Sequence, residues 1–479
     1  MPDIVLPQDW PGTGTPVPSR RSFWLREALA REGEDGRTPP LEGSASCDVC
    51  VIGGGYTGLW SALEILDRAP GTDVLLVEAD VCGGGASGAN AGFLMPLWGR
   101  FESLLALSRD REEARRLGEE SARAVEEILS FVDLHGLDVE YRRASWLWAA
   151  TSPAQRDAWL GVLDALEKAG VEPLREVSVA ESRSLAGTDR HFGGIVDPGS
   201  ATLQPALLAR GLRRVALERG VRVHEGTPVV RLTPVRGGTR VTTPRAAVTA
   251  ERVVLAVNAW AGRVEGLGRR MVTLASDTLV TEPAPRLLAE SGWDGATAVT
   301  DARRRLNYYR TTPDGRLVFG KGGTGVSRTG ESTLWGPPRR PAEVRRQLEM
   351  VLPRLAGLPV EAAWTAPVEY TPTALPFAGR LDTAPGVVYA AGYSGDGLAA
   401  SRMMARVVAS LVLGVRDEWS TSALTRLPDP SFPPEPLRAV GAGAVMSALR
   451  AVEARQDAGR PVPAPVRAIA SLEGVVGGH

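Results

Sequence analysis

The stretch CDVCVIGGGYTG, residues 47–58, constrains the fold more than any other part of this 479-residue chain. A short apolar run from Cys47 to Ile52 leads into Gly53, Gly55 and Gly58, spaced G-x-G-x-x-G. Beyond the glycines, Leu59, Leu63 and Leu66 fall at i, i+4 and i+7, the spacing of one buried helix face. VLLV, residues 74–77, reads as a second strand, and Glu78 closes it. Strand, glycine turn, helix, strand and acid make a βαβ unit. Gly53 permits the tight turn, Gly55 lets the backbone approach a pyrophosphate, and Gly58 lets the helix pack close to the strand. The helix start, with Tyr56 and Thr57, offers N–H groups to phosphate. Glu78, twenty residues beyond Gly58, is placed to accept a ribose hydroxyl. The unit predicts a dinucleotide site.

Cys47 and Cys50 raise a competing reading, a metal-binding or redox C-x-x-C. On a strand, residues three apart point to opposite faces, so these thiols are expected to diverge. A structural zinc needs four ligands, and the sequence has no second C-x-x-C or close histidine pair. A redox pair belongs at a helix start rather than ahead of a glycine turn. Both cysteines are therefore read as core residues, and no metal site is expected.

At 43% hydrophobic, 23% charged and net charge -1, the chain has an ordinary soluble profile with room for two or three domains. The charge balance gives no reason to expect nucleic acid. The start, MPDIVLPQDW, lacks the basic and apolar regions of a secretory leader, and no apolar run approaches the ~18 residues of a membrane span. Three cysteines make no disulfide framework. The expectation is a cytoplasmic protein without a membrane span.

The pattern predicts an α/β fold with a discontinuous Rossmann-like domain in three pieces, 44–100, 192–262 and 372–414. A second, α+β domain built on an antiparallel sheet takes 101–191 and 263–371. An arm, 1–43, carries one short helix packed through Phe23, Trp24 and Leu25, and an extension, 415–479, follows. A helix capped by Ser152 with Pro153 in its first turn should stop at Gly170, and another should run from Pro205 to Gly220. Late in the chain, VVYAAGYSGDGLAASRMMARVVASLVLG repeats the strand, glycine turn, helix grammar.

Directly after the acid comes a second glycine-rich stretch, EADVCGGGASGANAGF, residues 78–93. Here the chain resembles the glycine oxidase and D-amino acid oxidase family of FAD-dependent amine oxidoreductases, along nearly its whole length. The resemblance implies a cofactor domain of the glutathione-reductase type and non-covalent FAD. No cysteine follows Cys82, and no histidine (135, 191, 224 or 479) lies just after the second stretch, where relatives attach flavin. It also implies that Ala79, Gly85, Ala86, Ser87, Asn90, Ala91, Gly92 and Phe93 lie along the pyrophosphate and ribityl chain, with Val229 beside the adenine. Asn258 and Trp260 of LAVNAW would sit near the cofactor. GYSGDGLA would bring Gly392, Tyr393, Gly395, Asp396, Gly397 and Leu398 under the isoalloxazine ring. A helix starting near Gly397 would aim its N-terminus at the edge where reduction gathers negative charge. Asp396 stands where relatives have His or Asn; its carboxylate would oppose reduction unless it turns aside to cap the helix.

The phrases ATSPAQRDAW, VTEPAP, YYRTTPDGRLVFGKGG and FPPEPLR are closest to an aminophosphonate oxidoreductase subgroup, with the gamma-glutamylputrescine oxidases more distant. Family amino-acid oxidases hold the substrate carboxylate with an arginine eight residues before the proline of L-P-x-x-G, but here that position is Val368. Glu369 and Tyr370 follow, and a carboxylate there suits a cationic amine. On the LNYYRTT strand, alternation puts Leu306, Tyr308 and Arg310 on one face and Asn307 and Tyr309 on the other. Tyr308 or Tyr309 could wall an amine, while Arg310 could fork onto a phosphonate. Lys321 is one of only two lysines, and a lysine near flavin N5 helps oxygen activation in some relatives. The expected activity is oxidation of a primary or secondary amine, an aminophosphonate among the candidates, by hydride transfer to flavin N5, then hydrolysis of the imine to an aldehyde. O2 or another acceptor would take the electrons. The rivals are an NADPH-dependent flavin hydroxylase, for which the sequence has no convincing G-D motif at the ribityl chain and no second G-x-G-x-x-G for a separate NADPH domain, and a FAD-binding partner protein with weak catalysis.

Overall fold

The computed structural model describes residues 3–6, 20–33, 36–264, 266–293, 295, 297–327 and 334–472, so most of the first nineteen residues of the arm, and His479, lie outside it. Two nine-stranded sheets organise the described chain. In the first, Arg222–His224, Val74–Val77, Gly43–Ile52, Ala246–Leu255 and Ala384–Ala391 run parallel side by side. Continuous apolar runs suit such strands because helices and a meander cover both faces. The helices Tyr56–Arg68, Pro205–Glu218 and Gly397–Leu413 press Leu59, Leu63, Leu208, Leu212, Met403 and Val407 into a core with Val49 and Val51. On the other face, the antiparallel strands Arg231–Val235 and Gly238–Thr242 contribute Leu232 and Val241 to a core with Cys50 and Ile52.

The second sheet is mainly antiparallel, ordered Val360–Tyr370, Val272–Thr281, Leu317–Val326, Asn307–Thr311, Ala298–Asp301, Arg142–Ala149, Gly194–Thr202 and Phe93–Leu94. Two expected boundaries change. Gly194–Thr202 and Phe93–Leu94 pair in this sheet, although both fall in segments expected in the cofactor domain. Ile4–Val5 of the arm pairs with Arg231–Val235 in the first sheet.

Two helix starts show how far local chemistry decides a terminus. Gln204 caps Pro205–Glu218 by accepting from Leu207 N at 2.8 Å. The helix expected from Ser152 begins only at Leu160, after a single 3-10 turn over Pro153–Gln155. Gln155 Oε1 accepts from Thr151 N at 2.8 Å, closing that turn on itself, and Ser152 makes no capping bond.

Strand alternation fails at the cysteine pair. Asp48 N and Val49 N both donate to Asp73 O at 3.1 Å, two residues opposite one, and the inward parity slips there. The paired strand slips with it, presenting Val248 and Ala250 and then Val253 and Leu255 to the same core. Cys47 and Cys50 therefore share a face rather than diverge, and a hydrogen bond with Cys47, then burial, holds the Cys50 thiol well above its usual pKa. Both are buried in the core, with free thiols.

Candidate functional site

The glycine turn is built as its spacing requires. Gly53 has φ +109°, and a Cβ there would lie 2.3 Å from Ala256 O. A Cβ on Gly58 would lie 1.9 Å from Gly53 O, so the helix presses directly on the turn. Ser87 Oγ accepts from Tyr56 N at 2.9 Å and Gly83 N donates to Gly54 O at 2.9 Å, which locks the two glycine stretches together. Glu78 accepts from Gly54 N at 2.6 Å and Asp80 N at 2.9 Å, and burial raises its pKa to about 7.

From this turn one continuous cleft, open to solvent, runs between the two sheets. Every residue expected at the cofactor lines it except Gly58, Gly92 and Gly392. Those three act by close approach. Gly92, at φ +75°, passes Leu203 O where a Cβ would sit at 2.0 Å, and Gly392, at φ +83°, passes Thr371 Cγ2 at 2.4 Å. Asn258 and Ser394, both on the cleft, hold φ of 50° and 52°, a left-handed backbone rare for residues with side chains.

The second glycine stretch is held from behind by three segments. Ser22 Oγ, Trp364 Nε1 and Arg310 Nε donate to the carbonyls of Gly88, Ala89 and Ala91. Arg21 pairs with Asp80 at 2.7 Å. The helix Phe23–Glu32, capped by Ser22, inserts Trp24 and Leu25 into a cluster with Val81, Ala89, Trp364 and Ala366.

Beyond the glycine stretches the cleft ends in a chamber with Leu306, Tyr308, Val368, Glu369 and Tyr370. Tyr308 OH lies 2.8 Å from both Ser276 Oγ and Thr278 Oγ1, so its ring is fixed. Glu369 is buried, accepts from Tyr393 N at 3.1 Å, and is pushed up to about 7, chiefly by desolvation. Asp396 sits at the N-cap position of Gly397–Leu413 without capping it. It accepts instead from Arg100 Nε at 2.8 Å, so its charge is paired rather than bare.

Three residues expected at the substrate lie elsewhere. Tyr309 faces the opposite side of its strand, stacked on Phe319 at 5.5 Å with its hydroxyl on His191 Nε2. Arg310 shares Tyr308's face but ends beneath the cofactor loop, bonded to Ala91 O and Leu203 O and lying over Trp24. Its fork is engaged with backbone carbonyls and does not line the cleft. Lys321 is fully buried with Nζ 2.7 Å from Arg305 O and 3.3 Å from Glu453, away from the cleft that its neighbour Gly322 lines. Sequence reading missed Arg100, Met95, Ser276 and Thr278, which also line the cleft. Parity on Val272–Thr281 could have flagged the last two; nothing in the pattern around Arg100 marks it.

Among the described residues no group of three or more His, Cys, Asp or Glu side chains could hold a metal, and no helix is long and apolar enough to cross a membrane. The model of the family described as DAO, FAD dependent oxidoreductase, matches residues 48–411. Gamma-glutamylputrescine oxidoreductase of Escherichia coli is 31% identical over 405 residues, 82% of this chain and 89% of that protein. Glycine oxidase of Bacillus licheniformis is 24% identical over 380 residues, 78% of this chain and 95% of that protein. The crystal structure of glycine oxidase from Geobacillus kaustophilus superposes with a TM-score of 0.65 at 20% identity, covering 81% of this chain and 99% of that one.

Proposed function

The chain belongs to the DAO family of FAD-dependent oxidoreductases, and from that premise we propose that it oxidises a primary or secondary amine, an aminophosphonate among the candidates, to an imine that hydrolyses to an aldehyde. The residues fit non-covalent FAD. The Gly53–Gly58 turn leaves a cradle that side chains would fill, and Glu78 faces the cleft as a buried acceptor. FAD, when bound, supplies the hydride acceptor and passes electrons to O2 or another acceptor.

The observation that carries the reading is the chamber itself: Tyr308, Tyr370 and buried Glu369 close one cleft that starts at the glycine turn. The tyrosines wall the substrate, and the Ser276–Thr278 clamp keeps Tyr308 from yielding. Glu369, titrating near neutrality, suits an amine that arrives as a cation and reacts neutral. Val368 offers no charge to an α-carboxylate. Anaerobic mixing with a panel including 2-aminoethylphosphonate, its N-methyl form and gamma-glutamylputrescine should bleach the flavin with at least one member. No bleaching with any amine would sink the proposal.

A further inference from the structure

Arg100 is the only cationic side chain among the described residues that line the cleft. It follows the second glycine stretch on the 3-10 turn Leu97–Arg100 and reaches across to Asp396, whose segment lies nearly three hundred positions later. Their side chains are 13% and 14% exposed, so the pair sits at the cleft wall, shielded but reachable. Asp396 occupies a helix N-cap and leaves the cap unmade, its carboxylate turned to the guanidinium instead. On the chamber side the other charge is Glu369, an acid. An anionic group on the substrate therefore has one cationic side chain to meet, and that side chain is occupied by a carboxylate of the protein.

We propose that Asp396 is a stand-in for a substrate anion: a carboxylate or phosphonate tail displaces it from Arg100, which makes Arg100 the residue selecting amines that carry an acidic group. This rests on the amine-oxidising reading and narrows its substrate class. The exchange trades one oxyanion for another on the same guanidinium, so desolvation of Arg100 is not repeated. A planar donor fork suits either headgroup. The released Asp396 carboxylate then lies at the N-terminus of Gly397–Leu413, where the helix N–H groups can take it.

The two members of the pair should respond in opposite directions. In the FAD-loaded enzyme, ethylphosphonate and propionate, which have no amine to oxidise, are titrated while flavin absorbance is followed. Arg100→Gln should raise their dissociation constants at least tenfold, Arg100→Lys should restore part of the loss, and Asp396→Asn should tighten binding severalfold. With turnover, Arg100→Gln should raise KM for 2-aminoethylphosphonate and β-alanine at least tenfold more than KM for n-propylamine, whatever loss of kcat the unpaired Asp396 imposes on all three. Weakening by both Arg100→Gln and Asp396→Asn, or equal losses for charged and uncharged amines, would overturn the assignment. If no amine is oxidised but the anions still perturb the flavin in an Arg100-dependent way, the activity proposal fails and this one stands.

Discussion

The hydroxyl of Ser22 donates to the carbonyl of Gly88, so a segment ahead of the first long strand braces the second glycine stretch from outside the cleft. Arg21, the residue before it, does the same through Asp80. Ser22 also caps its own helix by accepting from Leu25 N at 3.0 Å. Ser22→Ala should cost about 1 kcal/mol of stability through the cap. It should also weaken FAD about fivefold, the size of one neutral hydrogen bond. Reconstitution of flavin-free protein, followed by quenching of flavin fluorescence, measures the second effect; an unchanged dissociation constant would remove the arm from the site.

Glu369 gives a pH dependence of known sign. Its pKa is raised from 4.5 to about 7, mainly by desolvation, so between those values the folded chain holds a proton that the unfolded chain has lost. Stability of the flavin-free protein should therefore fall as pH rises from about 4.5 to 7, by on the order of 3 kcal/mol. Glu369→Gln should flatten that slope and raise Tm at pH 8 more than at pH 5. Thermal melts across pH check it; parallel slopes would mean the carboxyl is already ionised.

Lys321 should matter to stability and not to oxygen. Its ammonium is caged by Arg305 O and Glu453 on the side of the sheet away from the cleft. Lys321→Met leaves Glu453 short of one buried partner and should cost about 3 kcal/mol. Stopped-flow reoxidation of the reduced variant should match wild type; a loss of tenfold or more would restore the lysine to the reacting centre.

Gly58→Ala should yield colourless protein. The added methyl carbon would meet Gly53 O at 1.9 Å, and only retreat of the helix relieves it. Retreat pulls the helix N-terminus from the pyrophosphate position. An absorbance spectrum of the purified variant decides; full flavin content would show that the turn has slack.

Why the cofactor end could be read from sequence and the chamber could not is a matter of where each constraint lies. Gly53, Gly58 and Gly92 are glycines because backbone oxygen lies where a Cβ would be, and such a requirement leaves a mark in sequence. Tyr308 and Tyr309 were separable because parity alone divides them. Arg310 and Lys321 needed more: the first depends on a loop 219 residues earlier, the second on the helix Leu437–Asp457. Cys47 and Cys50 misled because a slip at Asp48 reverses parity without any glycine to announce it. Arg100 owes its place to Asp396, and no local pattern links them.

The parallel core of the first sheet sets Gly43–Ile52 beside Ala246–Leu255 and that beside Ala384–Ala391. A ribosome delivers those neighbours far apart in time. The glycine turn emerges early, yet the strand and helix that complete the far end of the cleft arrive only after the second sheet has been made. Flavin capture thus belongs to the last stage of biogenesis, and until then the exposed edge of Ala246–Leu255 is open to wrong partners.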